Sequence, residues 1–266
     1  MPPVVEINNL AVYAGRRCVL DIDRLEIPAR EIVAIMGQNG AGKTTILRSC
    51  LGFVTPVRGE VSVLSCNLSG LRGSALAGLR RRIGYVPQLL PARSELPLTV
   101  REVVAIGRTG RAGLFRSLSP DDWQIVDEWI DRFGLASLCQ CAFGEISGGE
   151  QRKTIIARAM AQQPELLLLD EPTANLDLGW RERIVETIQH LHGETSITTV
   201  LVCHEPEVLP MACRNVVLLD QGRVLAAGTP ESVFTTERVA SLYGTVLSVV
   251  HEGGRHAVIP RGGEHV

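Results

Sequence analysis

Gly37-Gln38-Asn39-Gly40-Ala41-Gly42-Lys43-Thr44-Thr45 is the stretch on which the fold turns. It has the spacing G-x-x-x-x-G-K-[ST], and its flanks are those the pattern requires. Upstream, Glu31-Ile32-Val33-Ala34-Ile35-Met36 reads as a buried strand; downstream, Thr44 to Cys50 continues as a helix that Gly52 ends in a left-handed cap. Three glycines let the backbone wrap tightly, so that successive N–H groups and a positive helix end point at phosphate oxygens. Lys43 adds a point charge near the β- and γ-phosphates, and the Thr44 hydroxyl is placed to ligate Mg²⁺. The stretch therefore reads as a nucleotide site.

The chain has 266 residues and a net charge of −2, enough length for one or two domains. Balanced charge gives no general electrostatic reason to bind nucleic acid. Met1-Pro2-Pro3-Val4-Val5-Glu6 lacks the basic start and long apolar segment of a signal peptide, and no stretch approaches the roughly 18 apolar residues that span a bilayer. A soluble, cytoplasmic protein is expected. Its seven cysteines are odd in number and scattered among apolar neighbours, which suits reduced, buried thiols; only Cys139 and Cys141 lie close together.

Val4 to Val33 alternates polar and apolar positions and reads as short antiparallel strands leading into the loop. Tyr13 lies among them, either as a half-buried strand residue or as a ring that stacks on a purine. Gly59 to Leu64 is another antiparallel strand, and Arg82 to Gln88 is a strand running into a loop. Gln88, at that strand end, can coordinate Mg²⁺, hold a water or simply be solvated. From Leu89 to Gly144 the pattern turns helical. Thr99 with Glu102 is a capping-box signal, and Ser119-Pro120-Asp121-Asp122 opens a second helix whose Trp123, Val126, Trp129, Ile130 and Phe133 recur at core spacing.

Ser147-Gly148-Gly149-Glu150 opens a further helix. Ser147 and Glu150 form a capping box, so the serine either caps its own helix or joins the glycine amides in a second anion site. Leu166-Leu167-Leu168-Leu169-Asp170-Glu171 is an apolar strand ending in two carboxylates, as a central parallel strand facing a ligand crevice would. Asp170 would bind Mg²⁺ directly or through water, and Glu171 could accept a proton from an attacking water. Asp177 follows in a loop. Ile197 to Cys203 is a β-branched strand that delivers His204, structural or a γ-phosphate contact. His190 and His192 read as surface residues.

Taken together, these stretches resemble the ATP-binding cassette (ABC) ATPases from about Val4 to Ala227. The resemblance implies an α/β P-loop NTPase core with a mostly parallel sheet, an N-terminal antiparallel β subdomain and a helical insert at about 89–150, in a domain of 1–244 followed by a short extension at 245–266. It implies that Tyr13 stacks on adenine, that Gly37 to Thr45 hold the phosphates of ATP and Mg²⁺, and that Gln88 senses both. Asp170 then serves the metal, Glu171 is the catalytic base, and His204 contacts the γ-phosphate. Asp177 belongs to a loop crossing a dimer interface. Ser147, Gly148 and Gly149 act in trans, on the ATP of a second copy in a head-to-tail dimer.

Ile146 and Glu150 depart from the common Leu-Ser-Gly-Gly-Gln signature. No fused membrane domain, second cassette or coiled-coil insert accompanies the cassette, which leaves a separate subunit of a multi-subunit transporter. Leu98 to Arg108, and the tail from Leu242 to Val246 and on through Val258-Ile259-Pro260, look like the importer ATPases for iron chelates, haem and cobalamin; zinc and manganese importers share much of the first stretch. The implied partners are membrane-spanning permease subunits and, indirectly, a solute-binding protein, with no nucleic acid. The implied location is peripheral, on the cytoplasmic face of the inner membrane. A soluble regulatory or nucleic-acid-linked cassette ATPase and a non-catalytic nucleotide-dependent scaffold are the alternatives.

Overall fold

The structure, a computed structural model, describes residues 2–88, 98–113, 116–243 and 247–260. The expected start of the helical insert at Leu89, the expected boundary at 244/245 and the tail residues 261–266 lie outside the described residues. The chain divides into two compact units, one formed by residues 1–70 and 188–266, the other by 71–187.

In the first unit, β1 (Val5–Ala14) and β2 (Arg17–Ile27) form a hairpin, with Val5 opposite Ile27 and Ala14 opposite Arg17. β1 also pairs antiparallel with β4 (Arg58–Val63), and the short β5 (Cys66–Asn67) completes a sheet of order β2-β1-β4-β5. Ile7, Leu10, Val12, Leu20, Ile22 and Leu25 are buried, which is the burial expected of half-buried antiparallel strands. The second sheet of this unit is built on β3 (Ile32–Gly37), every residue of which is buried. β3 runs parallel to β8 (Thr198–Val202) on one side and to β9 (Cys213–Asp220) on the other, while β10 (Arg223–Gly228) closes antiparallel onto β9. Continuous apolar runs such as Ile32-Val33-Ala34-Ile35-Met36 are what a strand covered on both faces demands. α1 (Lys43–Cys50) follows β3 directly and buries Ile46 and Leu47.

The same unit ends in α7 (Pro230–Val233), α8 (Thr236–Tyr243) and a hairpin of β11 (Leu247–Glu252) and β12 (Arg255–Pro260). His251 Nε2 donates to the carbonyl of Phe234, so its Nδ1 accepts from His256 Nδ1 at 2.7 Å. Burial of His256 holds its pKa below the ordinary value; His251 acts the same way and Glu231 opposes them.

The second unit contains α2 (Gly73–Arg80), β6 (Ile83–Val86) parallel to β7 (Leu166–Asp170), and the helices α3 (Val100–Ala112), α4 (Pro120–Arg132) and α5 (Gly148–Ala161). α6 (Leu178–Thr195) begins in it. The two expected capping boxes, at Thr99 and Ser147, are present, and Ser119 forms a third: each accepts from the N–H three residues on, and the acid there accepts the cap's own N–H. Val126, Trp129, Ile130 and Phe133 are buried as their spacing requires, whereas Trp123 is half-buried under the Arg101 guanidinium at 4.3 Å. α3 and α4 are joined by two ion pairs. Arg101 and Asp127 meet at 2.7 Å in a partly exposed pair; Arg108 and Asp122 meet at 2.8 Å in a largely buried one, where Arg108 also donates to the carbonyl of Ala161. The Ser119 amide and hydroxyl, then Arg108, hold the Asp122 carboxyl below the usual carboxylate range.

Two expectations need correction. Among the cysteines only Cys50, Cys203 and Cys213 are buried; Cys18 has the parity of the buried Leu20 and Ile22 but is exposed, because the pairing of β1 with β2 shifts register between Leu20 and Cys18. His190 is exposed beside Glu194, but His192 is half-buried and its Nδ1 donates to the carbonyl of Ile197, tying the end of α6 to the strand that follows.

Removing the Arg108 head group by Arg108→Met should leave Asp122 short of a buried partner and cost about 3 kcal/mol. Arg101→Met, at the more exposed pair, should cost less than about 1 kcal/mol; urea unfolding of both variants compares them. Because the unfolded His256 takes up its proton near pH 6.5 and the folded one only at lower pH, stability at the hairpin should fall as pH drops below about 6.5. Hydrogen exchange of β11 and β12 at pH 7.5 and 5.5, corrected for intrinsic rates, should reveal this loss, and His256→Phe should flatten it.

Candidate functional site

The phosphate loop lies in the first unit. Gly37 at the end of β3 has φ of 147°, and a Cβ there would come within 2.2 Å of the carbonyl oxygen of Leu219; Gly42 has φ of 101°, and its Cβ would meet the Leu20 side chain at 2.5 Å. Side chains are excluded at both positions by backbone angle and by space. The chain thus folds back on itself, with Ala41 N–H donating to Gln38 O and Ile46 N–H, in the first turn of α1, donating to Gly42 O. Asn39 and Gly40 are exposed at the tip, Ala41 is buried, and Thr44 and Thr45 are half-buried at the start of α1.

Lys43 is buried inside this loop. Its ammonium donates to the carbonyls of Gly37 at 2.8 Å and Gln38 at 2.9 Å, and lies 3.1 Å from His204 Nδ1. An ammonium has no acceptor, so Nδ1 accepts and the ring hydrogen of His204 sits on Nε2. The strand β8 ends at Val202, two residues before His204, whose ring lies beside the loop. Gln38 Nε2 donates to the carbonyl of Leu242, so the loop also touches the end of α8. Tyr13, 48% exposed, follows a shift of register in β1, and its ring is accessible for stacking.

The strand-end acids lie in the second unit. Asp170, 1% exposed at the end of β7, accepts from the Tyr85 hydroxyl at 3.3 Å. Glu171 is buried, has φ of 49° and accepts from Gln88 Nε2 at 2.5 Å. A glutamate in the left-handed region is uncommon and costs on the order of 1 kcal/mol, which such buried surroundings can hold in place. The Gln88 amide turned this way presents its oxygen as a possible cation ligand. Ser147 and Gly148 are exposed at the start of α5, but Gly149 is buried. Ser147 Oγ lies 2.6 Å from Glu150 Oε2, so the hydroxyl is engaged within its own capping box. Asp177 is exposed and its Oδ1 accepts from Trp180 N–H at 2.9 Å, capping α6.

Two contributors escaped the sequence reading. Tyr85 looked like an ordinary strand residue. Arg152, on α5, runs through the interior to donate to the carbonyls of Pro87 at 2.8 Å and Gln88 at 3.1 Å, while its buried Nε has no hydrogen-bond partner among the described residues. Burial lowers its pKa and the charge of Asp170 partly restores it. A cationic residue at a buried helix position was the available signal; its partners, dozens of residues away, were not.

Within the second unit, Gln88 offers an amide oxygen and Asp170 a buried carboxylate oxygen, donor types that suit Mg²⁺, a hard cation that retains several waters; Thr44, in the first unit, offers a hydroxyl of the same kind.

A family model described as ABC transporter matches residues 20–174. The chain is 34% identical to a chelated iron transport system membrane protein, YfeB, of Yersinia pestis, over 95% of this chain and 83% of that one. It is 30% identical to a manganese transport system ATP-binding protein, MntB, of Bacillus subtilis, over 93% and 95%. Among solved structures, the dimeric post-hydrolysis state of the ATP-binding cassette MJ0796 with ADP and Pi aligns with a TM-score of 0.72 at 28% identity, covering 85% of this chain and 98% of that one.

Replacing Lys43 by alanine should weaken nucleoside triphosphate binding by at least about tenfold, the loss expected for a charge-assisted hydrogen bond. A fluorescence titration measures it, and an unchanged Kd would remove the lysine from phosphate binding.

Proposed function

This chain belongs to the ABC transporter family and is an ATP-binding ATPase, and from that premise we propose that two copies of it, head to tail, power import of a metal or iron chelate through membrane-spanning permease subunits. The observation that carries the nucleotide chemistry is the Lys43 ammonium wrapped by the carbonyls of Gly37 and Gln38 and backed by His204. When phosphates arrive, the loop amides and Lys43 bind and orient them, and Tyr13 stacks on the adenine. His204, with its hydrogen on Nε2, donates to the γ-phosphate.

Thr44, Gln88 and Asp170 would hold Mg²⁺, which when bound neutralises charge developing on the phosphate oxygens. Glu171 is the base that takes a proton from the attacking water, and Gln88 orients its carboxylate. Electrostatic positioning supplies most of the rate and proton transfer roughly 10²–10⁴-fold. Ser147 and Gly148, exposed at the N-terminus of α5, reach the ATP of the second copy, and Asp177 meets that copy at the interface. Residues 1–244 form the ATPase domain, with the helical insert at about 89–150 coupling closure to the permease, and 245–266 form an extension.

The metal or iron-chelate cargo is supported by the names of the relatives in Yersinia pestis and Bacillus subtilis, a chelated iron and a manganese transport system. Among the described residues no helix is long and apolar enough to cross a membrane, so attachment to the cytoplasmic face would run through the permease, with a solute-binding protein as an indirect partner. The net charge of −2 offers no general attraction to nucleic acid.

An affinity pull-down from detergent-solubilised membranes, with ATPase activity assayed on the eluate, tests the whole reading. Recovery of a polytopic membrane protein together with hydrolysis is the expected result; recovery of soluble partners alone would overturn transport and leave the nucleotide chemistry standing. Glu171→Gln should keep ATP affinity and lower turnover about 10²–10⁴-fold, and undiminished turnover would take the base role from Glu171.

A further inference from the structure

Gly149 is buried although Ser147 and Gly148 just before it are exposed. What covers it is the indole of Trp180, in the first turn of α6. A Cβ built on Gly149 would lie 1.9 Å from Trp180 Cδ2, 2.2 Å from Cε3 and 2.5 Å from Cε2. The fused edge of the ring therefore fills the volume that any side chain at 149 would need. The indole is also held from its flanks: the Arg183 guanidinium carbon is 4.9 Å from the ring centroid and the Lys153 ammonium 5.9 Å.

The backbone beneath the ring continues the same contact. Trp180 N–H donates to Asp177 Oδ1 at 2.9 Å, and Leu176 Cδ2 would be 3.5 Å from a Cβ on Gly148. Two consecutive glycines thus lie under the segment on either side of Asp177: Gly148 under Leu176 of the loop, Gly149 under Trp180 at the start of α6. A tryptophan gives this contact a large rigid face while only two side-chain torsions are ordered.

We infer that Trp180 is a positioning residue: its indole, admitted by the missing side chain at Gly149, locks the Ser147–Gly149 turn to the Asp177 loop so that both meet a second copy of this chain as one rigid surface. The inference rests on the proposed reading of that turn as the contact to the second copy's ATP. It gives the two glycines different duties, Gly148 leaving room for phosphate and Gly149 leaving room for the indole.

The test uses the full chain carrying Glu171→Gln, so that bound ATP persists. Sedimentation reads dimer formation against protein concentration at saturating ATP, and a fluorescence titration on dilute protein reads ATP affinity of the monomer. Trp180→Ala should leave monomer affinity within about twofold and raise the concentration for half-dimerisation about tenfold, the size expected of contacts that act as one unit. Trp180→Phe, which keeps a ring over Gly149, should recover most of the loss. Gly149→Ala evicts the indole and should reproduce that loss, even though alanine favours a helix over glycine. The double variant Gly149→Ala/Trp180→Ala should be no worse than either single one, because both remove the same contact.

Dimerisation of Trp180→Ala at the parent's concentration, or a double variant that multiplies the two single losses, would overturn the inference and return Gly149 to direct nucleotide contact. Ser147→Ala separates the underlying reading. Parental dimerisation by that variant, or a parent that stays monomeric with ATP, removes the trans contact and the inference with it. A weakened Ser147→Ala beside an unaffected Trp180→Ala removes the inference alone.

Discussion

A buried ammonium enclosed by its own backbone is the constraint on which the first unit depends. Burial of Lys43 is sustained by the carbonyls of Gly37 and Gln38 and the imidazole of His204, which accept its protons. For those carbonyls to point inward, the chain has to turn at Gly37 and Gly42 through angles that side chains disfavour, and through spaces that Leu219 and Leu20 already fill. The all-buried β3 before the loop and the apolar face of α1 after it fix the two ends of that turn.

The second unit solves a related problem with opposite sign. Asp170 and Glu171 are carboxylates buried at a strand end, and each is held by a neutral donor, Tyr85 for one and Gln88 for the other. Arg152 braces the strand-end loop through two carbonyls, its charge lying near that of Asp170. Rigidity elsewhere in this unit comes from the Arg108–Asp122 pair, in which one carboxylate caps α4 and binds α3 at once.

A charged residue at the fifth position of Ile146–Glu150 has a local consequence as well. Glu150 accepts both the amide and the hydroxyl of Ser147, a fuller capping box than an amide side chain would give. The two readings of Ser147 that sequence left open are therefore not exclusive. The serine is a helix cap as it stands, and any anion it meets competes with a carboxylate three residues away.

The sequence by itself determined whatever is written in short-range spacing. The phosphate loop, the three helix caps, the buried strands β3 and β7 and the core face of α4 all follow from residues within one or two turns of each other, where backbone geometry leaves few choices. His204 and the Asp170–Glu171 pair were legible for the same reason, since the end of an apolar strand can be located from composition. Tertiary structure alone decided which distant groups meet. Nothing local says that Trp180 covers Gly149 or that Arg152 reaches the carbonyls of Pro87 and Gln88. Those contacts join residues whose spacing has no period, and they are selected by what space and which unpaired polar groups remain once the regular elements have packed.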